Sequence, residues 1–216
     1  EISACLVGSE MCIRDRYKMN TFTYQIGNNL YINLTNRCSN RCTFCVRDQS
    51  AQYEGYSLWL DSEPSVEDVV KEIGDPTQYE EIVFCGYGEP TYRLDEMLAI
   101  AAFVKRRGGK TRLNTNGHGN LIHGRDITPQ LAGVIDLVNI SLNAPDKKVY
   151  DRLCRPVFPD AAFEGLFSFA RDCKKSGVCC RFSVVDCIGK ECVEKCKELA
   201  DREGIPLYVR EMIHNG

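Results

Sequence analysis

The sequence predicts an α/β fold, namely a partial (β/α)6 TIM-like barrel whose parallel strands form a single domain. Short apolar or β-branched runs alternate with amphipathic helices along the chain, and strands separated by helices of this length pair in parallel through right-handed crossovers. Six such strands fall short of the eight that close a standard TIM barrel, so we expect an open barrel with functional groups at the carboxyl ends of its strands. The 216 residues, 44% of them hydrophobic, are enough to bury one core.

Each element has a local signal. The first strand is the run LYINLTN at 30–36, which leads into a cysteine-rich loop. Ser65 and Asp68 have the spacing of a capping box, Thr128 is a predicted N-cap followed by proline, and Asp160 is a predicted cap. Later strands are predicted from compact apolar runs at 81–85, 112–115, 136–142, 178–185 and 207–210. Helices are predicted from apolar residues at helical intervals at 64–73, 94–107, from 128, at 160–177 and at 191–202.

The composition gives no sign of a membrane or nucleic-acid partner. Lys and Arg total 27 against 30 Asp and Glu, so the net charge of -3 provides no electrostatic attraction for either. No stretch approaches the roughly 18 to 20 apolar residues of a spanning helix. Charges interrupt residues 1–16, where a signal peptide has its apolar core. We therefore expect a cytoplasmic protein.

Residues 1–18 are predicted to be a non-native or disordered leader, and residues 19–216 the barrel domain. The leader, EISACLVGSEMCIRDRYK, has no clear period and resembles translated sequencing-adapter read-through. Met19 is therefore the expected native start, and a short natural extension is the alternative. No internal repeat, low-complexity tract or linker indicates a second domain.

The cysteines indicate a metal site. Thirteen thiols in a chain without an export signal favour reduced core residues plus a metal centre over disulfides. Cys38, Cys42 and Cys45 have a C-x3-C-x2-C spacing just after the first strand, so three thiolates can surround one compact centre. A structural zinc site normally needs a fourth Cys or His nearby, and the next cysteine, Cys85, is 40 residues on. A cluster with three protein ligands and one open iron is therefore favoured.

This triad, with the aromatic Phe44 before its last cysteine, resembles the signature of the radical S-adenosylmethionine (SAM) enzymes. The resemblance implies that Cys38, Cys42 and Cys45 hold a [4Fe-4S] cluster whose unligated iron binds SAM, with Phe44 beside the cofactor. Reductive cleavage of SAM would then give a 5′-deoxyadenosyl radical that abstracts hydrogen from a substrate. The implied partner is a one-electron reductant such as flavodoxin or ferredoxin. The substrate and any further catalytic residue are unknown.

The segment FCGYGEP, at the end of the second strand, is similar to the Gly-Gly-Glu-Pro motif of this superfamily. Gly86, Gly88 and Glu89 match the motif, whereas Tyr87 stands between the two glycines as a departure from it. The resemblance implies that the glycines let the backbone approach SAM and that Glu89, with an exposed carbonyl edge, receives the SAM ammonium. Turn chemistry alone is the alternative.

Polar residues at the later strand ends resemble those that hydrogen-bond the SAM ribose and carboxylate in the superfamily. They are Asn114 and Asn116 at the third strand and Ser141 and Asn143 at the fourth, and the fifth strand adds Arg181 and Val185 as separate candidates. Arg181 is expected to pair with the SAM carboxylate and Val185 to border adenine. Ordinary turn chemistry for the asparagines and a solvated position for Arg181 are the alternatives.

Within the superfamily, residues 31–48 with YGEP, LNTNG and NISLNAP are most similar to the small TatD-associated radical SAM group. This resemblance implies a TatD-type hydrolase as a partner. Two alternatives are an activating enzyme for a glycyl-radical partner and, in another class, a non-catalytic zinc or redox module. His118, His123 and His214 form no His-x-His pair, so a surface or supporting role is expected for each.

Two further groups of residues are expected to be structural. Eight cysteines follow Cys45, and the short spacings of Cys187, Cys192 and Cys196 resemble a second cluster site. Because Cys192 and Cys196 are predicted to lie on a helix, where small free cysteines commonly fill a core, one cluster is expected. Tyr53, Tyr56 and Trp59 are expected to pack over the barrel mouth rather than to border a substrate.

Overall fold

Seven strands form one sheet in chain order in the computed structural model, which describes residues 20–49 and 52–212, except the side chain of residue 49. The strands are β1 (Thr23–Ile26), β2 (Asn29–Ile32), β3 (Ile82–Phe84), β4 (Thr111–Thr115), β5 (Leu137–Ser141), β6 (Cys180–Val185) and β7 (Leu207–Arg210). β1 pairs with β2 antiparallel, and every later neighbouring pair is parallel. The six parallel strands β2–β7 confirm the predicted partial barrel.

Helices connect the parallel strands. They are α1 (Val46–Gln49), α2 (Val66–Ile73), α3 (Leu94–Arg106), α4 (Gly119–His123), α5 (Thr128–Leu131), α6 (Lys147–Cys154), α7 (Ala162–Lys175) and α8 (Lys190–Glu203), with 3-10 turns at Pro76–Gln78, Pro90–Arg93 and Asp186–Ile188. In the part of the chain that the structure describes, none of these helices has the length and apolar character needed to cross a membrane.

The predicted strands and long helices are confirmed, and some local details are wrong. The Ser65–Asp68 capping box caps α2 as expected. Thr128 is the first residue of α5 rather than its cap, because the Asp126 carboxylate accepts its N–H at 2.9 Å. Asp160 caps nothing, since α7 begins at Ala162 without a side-chain cap. The predicted leader, residues 1–18, lies outside the described residues.

Strand alternation separates a core from a barrel interior. Along β4 and β6, alternate side chains such as Leu113 and Phe182 are fully buried in one apolar core with residues of the long helices. The side chains between them, including Arg112, Asn114 and Arg181, point to the other face of the sheet and line an internal cavity. The sheet therefore presents a polar face to the place where functional groups are expected.

Candidate active site

The cysteine loop that follows β2 is fixed by the carboxyl end of α6. The N–H groups of Arg41 and Thr43 donate to the carbonyl oxygens of Cys154 and Leu153 at 2.9 and 2.8 Å, and the Ser39 carbonyl accepts the N–H of residue 157 at 2.9 Å. The last carbonyls of a helix have no partner within the helix, so the loop satisfies two of them. These contacts give the loop that carries Cys38, Cys42 and Cys45 a defined path.

The three thiols of this loop are free and partly exposed. Burial raises the pKa of Cys38 to about 12, with a smaller contribution from the Glu89 carboxylate, and burial also raises the pKa of Cys45. A hydrogen bond from the Cys154 thiol is the main cause that lowers the pKa of Cys42. Cys38 and Cys45 therefore need a positive partner to be held as thiolates, which is what an iron centre supplies.

The arrangement of the triad suits a cluster with several iron atoms. No three His, Cys, Asp or Glu side chains of the described residues lie close enough together to hold a single metal ion. A tetrahedral zinc ion requires its ligands at one point. A four-iron cluster binds each cysteine through a different iron atom, so its three thiols need not meet. The donor set is thus chemically compatible with the predicted [4Fe-4S] cluster.

A buried polar network, which we call the His118 network, lies against the loop and consists of Ser39, Asn40, Asn116, His118 and Tyr150. The two ring nitrogens of His118 lie 3.0 Å from Ser39 Oγ and 3.1 Å from Tyr150 Oη. Asn40 donates to the same Tyr150 oxygen at 3.1 Å, and Asn116 donates to Ser39 Oγ at 2.8 Å. Burial lowers the pKa of His118 to about 4, so the ring is neutral near pH 7. Of the two roles predicted for His118, the structure shows the supporting one.

The glutamate of the YGEP segment is buried, with 2% of its surface exposed. One carboxylate oxygen of Glu89 accepts from the Thr91 N–H, the Thr91 hydroxyl and the Thr115 hydroxyl at 3.2, 2.8 and 2.7 Å, and the other accepts the Asn116 N–H at 2.7 Å. Burial nevertheless raises its pKa. These contacts join the loops after β3 and β4, so the carboxylate faces the protein and not an exposed edge. A role for Glu89 toward the SAM ammonium stays a prediction.

The two glycines of this segment are required by their protein neighbours. A side-chain carbon on Gly86 would overlap the Asn33 carboxamide, and one on Gly88 would lie 2.6 Å from the Arg37 carbonyl oxygen. Both neighbours belong to the segment that leads into the cysteine loop. Close approach of two loops, as well as of a ligand, therefore explains the glycines.

A cavity of about 600 Å³ opens on the polar face of the sheet beside the two loops. Five of the ten residues that the sequence predicts to contact SAM line it, namely Phe44, Gly86, Asn114, Arg181 and Val185. The other five, Gly88, Glu89, Asn116, Ser141 and Asn143, are not among the lining residues. Volumes of this size are typical of small-molecule sites.

The residues outside the lining still surround the cysteine loop or the strand ends. The Asn116 amide lies 3.9 Å from Cys38 Sγ. Ser141, partly exposed at the end of β5, pairs with Ser183 of β6. Asn143 has a φ of 53° and a buried Oδ1 without a hydrogen-bond partner in the described chain. A strained asparagine with a free acceptor at a strand end is compatible with a ligand-binding role.

Aromatic side chains cluster at one part of the cavity lining, which includes Tyr24, Tyr53 and Tyr87. Tyr24 packs against Tyr53 and Tyr56, with ring centroids 6.4 and 5.8 Å apart, and its hydroxyl donates to the Cys85 carbonyl at 3.2 Å. Trp59 is 45% exposed and meets Tyr87 at 5.4 Å. Tyr53 lines the cavity, and packing of Tyr53, Tyr56 and Trp59 over the barrel mouth stays a prediction.

Several cavity residues were missed by the sequence analysis. Arg112 and Arg210 line the cavity with Arg181, and Asn139 accepts from the Arg181 guanidinium at 2.8 Å. The sequence contains a signal for these residues. Arg112 and Asn114 are two positions apart on one strand, so their side chains must point to the same face of the sheet. Arg181 and Val185 follow the same spacing on β6. Such polar residues within a predicted buried strand mark the barrel interior.

The fold and the site together define a partial-barrel α/β protein with a three-cysteine loop suited to an iron–sulfur cluster at the carboxyl ends of its strands. Residues 32–202 match the family described as the Radical SAM superfamily. The chain belongs to the radical SAM superfamily, whose members use a [4Fe-4S] cluster and SAM, so the predicted family, enzyme class and cofactors are confirmed at this level. The TatD-associated group stays a prediction.

Related proteins agree with this assignment. The chain is 30% identical over 149 residues to the GTP 3′,8-cyclase of Corynebacterium glutamicum (strain R), a match covering 61% of this chain and 35% of the cyclase. It thus spans about a third of the length of this curated relative.

Solved structures show the same fold. SuiB of Streptococcus suis bound to S-adenosylmethionine has a TM-score of 0.62 at 19% identity. The match covers 88% of this chain and 42% of the SuiB chain. The anSMEcpe protein with bound AdoMet has a TM-score of 0.59 at 17% identity, over 85% of this chain and 50% of its own. A radical SAM methyltransferase from Sphaerobacter thermophilus has a TM-score of 0.60 at 14% identity, over 88% and 68%.

Proposed function

We propose that the chain is a radical SAM enzyme that reductively cleaves SAM at a [4Fe-4S] cluster and uses the 5′-deoxyadenosyl radical to abstract hydrogen from a substrate. The observation that carries the proposal is the position of the cysteine loop. The loop that carries the three thiols contacts the His118 network through Ser39 and contributes Phe44 to the lining of the cavity. Ligands for a cluster and space for an organic cofactor thus adjoin each other.

Within this function, the residues of the chain would bind the cluster and SAM, orient them and shield them from water. When bound, the cluster and SAM would supply the radical chemistry. Cys38, Cys42 and Cys45 would hold the cluster, while Asn116 and the neutral His118 ring keep the loop in place through their hydrogen bonds to Ser39. The aromatic residues of the lining, such as Tyr24 and Tyr53, would limit access of water to a reactive centre.

For the other ligand contacts, we propose roles that follow the predicted ones. Gly86 and Gly88 would present backbone groups to SAM, with Glu89 holding their loop in position. Asn114 and Val185 would line the nucleoside side of the cavity, and Ser141 and Asn143 the strand ends. The free acceptor of Asn143 supports this assignment.

The partners follow from the same chemistry. A one-electron reductant such as flavodoxin or ferredoxin would deliver the electron, and a TatD-type hydrolase remains the proposed protein partner. Eleven described cysteines are all free, and a reducing cytoplasm keeps such thiols and an oxygen-labile cluster intact. We therefore propose a cytoplasmic location.

The test is anaerobic reconstitution with iron and sulfide, followed by SAM and dithionite. Wild type should form 5′-deoxyadenosine, and the triple variant with Cys38→Ala, Cys42→Ala and Cys45→Ala should form none. A matched control replaces two cysteines away from the loop, Cys179→Ala and Cys187→Ala, both exposed, and should behave as wild type. Dithionite-dependent 5′-deoxyadenosine from the triple variant would exclude the assignment.

A further inference from the structure

The cavity contains positive charge that the protein does not neutralise. Of the three arginines in its lining, Arg112 has a carboxylate partner, Glu81, at 2.8 Å. Within the described chain, no carboxylate lies within 4.0 Å of Arg181 or Arg210. The remaining acidic lining residue, Glu211, is exposed at the rim. The lining therefore has two unpaired guanidinium groups.

Both unpaired groups have donors to spare. Arg181 uses its Nε to bind Asn139 at 2.8 Å and stacks over the Tyr208 ring at 4.6 Å, and its two terminal nitrogens have no hydrogen bond in the described chain. The Nε of Arg210 is buried and has no partner among those residues. Burial lowers the pKa of both side chains, as expected of cations without a counter-ion. Both side chains are partly exposed. A cation that is partly desolvated and has no partner is destabilising, so two of them beside a cavity call for an anion.

We propose that Arg181 and Arg210 bind a carboxylate or phosphate group of the substrate inside the barrel, an inference that rests on the proposed function. Guanidinium groups match both anions through paired hydrogen bonds. The substrate is thereby assigned to the anionic small molecules or acidic side chains.

The position of Arg181 distinguishes this site from the SAM carboxylate, its predicted ligand. The cysteine and glycine loops follow the carboxyl ends of β2 and β3. Arg181 is the second residue of β6, so four more strand residues, about 13 Å of extended chain, separate it from the carboxyl end. The Arg181 side of the anion site is thus deeper in the barrel than the cofactor loops, whereas Arg210, the last residue of β7, lies level with Val185 at the carboxyl end.

The experiment titrates anaerobic, cluster-loaded protein by calorimetry with two probes, inorganic pyrophosphate and succinate. At least one probe should bind wild type and bind the Arg181→Gln/Arg210→Gln double variant about tenfold more weakly or worse, as expected for loss of charge-assisted hydrogen bonds. The probe that binds identifies phosphate or carboxylate as the preferred group. Arg171→Gln is the matched control, because Arg171 forms its ion pairs with Glu164 and Glu203 on the outer surface, and should retain wild-type affinity.

Two more readouts decide the outcome. SAM affinity should change by less than about twofold in the double variant, and its melting temperature should be equal to or above wild type because an unpaired charge is removed. Binding of neither probe to wild type, equal binding to the double variant, or a parallel loss of SAM affinity would overturn the proposal. If the double variant does not fold, the single Gln variants are titrated in the same way. Absence of 5′-deoxyadenosine from wild type with anion binding intact would contradict the proposed function alone.

Discussion

Acidification should destabilise this protein through one buried side chain, His118. Its pKa is about 4 in the folded protein and 6.5 for the unperturbed group, and burial is the main cause. The folded state therefore binds fewer protons than the unfolded state between these values, so the free energy of unfolding falls as the pH falls through this window. The contribution is fully present above pH 6.5.

The magnitude follows from the two pKa values. Between pH 8 and pH 5 the loss is about 2 kcal/mol for this single group, and it approaches about 3 kcal/mol below pH 4. Urea denaturation of the metal-free protein in reducing buffer at pH 8 and pH 5 measures it, since cluster loss would otherwise make unfolding irreversible. His118→Gln retains a polar side chain and cannot titrate. The variant should be less stable than wild type at pH 8 and should lose about 2 kcal/mol less on acidification.

The matched control is His123→Gln, at the other end of α4. His123 is partly exposed and lies 2.7 Å from the Thr91 carbonyl oxygen through its Nε2. This variant should retain the wild-type difference between pH 8 and pH 5. Equal pH dependence in wild type and His118→Gln would refute the reasoning, because it would show that the ring titrates normally in the folded state.

Three further predictions concern the loops and the leader. Glu89→Gln places an amide NH2 among donors that now bind a carboxylate. The free energy of unfolding measured in urea should therefore fall by about 1.5 to 3 kcal/mol. An unchanged value would mean that contacts other than those of Glu89 hold the two loops together. Gly88→Ala introduces a carbon 2.6 Å from the Arg37 carbonyl oxygen. The free energy of unfolding should therefore fall by about 1 to 3 kcal/mol, and the iron content after reconstitution should be lower. Full iron content at wild-type stability would contradict the close approach of the two loops. Removal of residues 1–18 should leave melting temperature and iron content unchanged, and a marked fall in either would show that they belong to the fold.

Local sequence signals predicted the repeating framework well. Capping residues, glycine stops and apolar periodicity act over a few positions, so they gave α2, α3, α7 and α8 nearly to the residue. The hairpin partner β1 was missed although its signal was local. A two-residue turn at Gly27 and Asn28, with φ 57° at the glycine, joins it to β2, and Gly-Asn between strand-like runs is a hairpin signal.

The site was predictable only where one segment carries the chemistry. The cysteine triad lies within eight residues, so its spacing alone indicated a cluster. The contact of His118 with Ser39 joins positions 79 residues apart, and no periodicity encodes such a pairing. Glu89 shows a second limit, because the sequence identifies a carboxylate but not whether it faces a ligand or four neighbouring donors. Burial of that kind is a property of the assembled loops.

The hydrogen bonds between the cysteine loop and the end of α6 determine when the metal centre can mature during biosynthesis. Arg41 and Thr43 are held by Leu153 and Cys154, more than a hundred positions further along the chain. At roughly 5 to 20 residues per second of translation, that separation is about 5 to 20 s. The three cysteines thus leave the ribosome well before the helix that orders them exists, so insertion of the proposed cluster into the ordered loop has to follow synthesis of α6. A nascent chain arrested before residue 150 would present the thiols without their binding geometry.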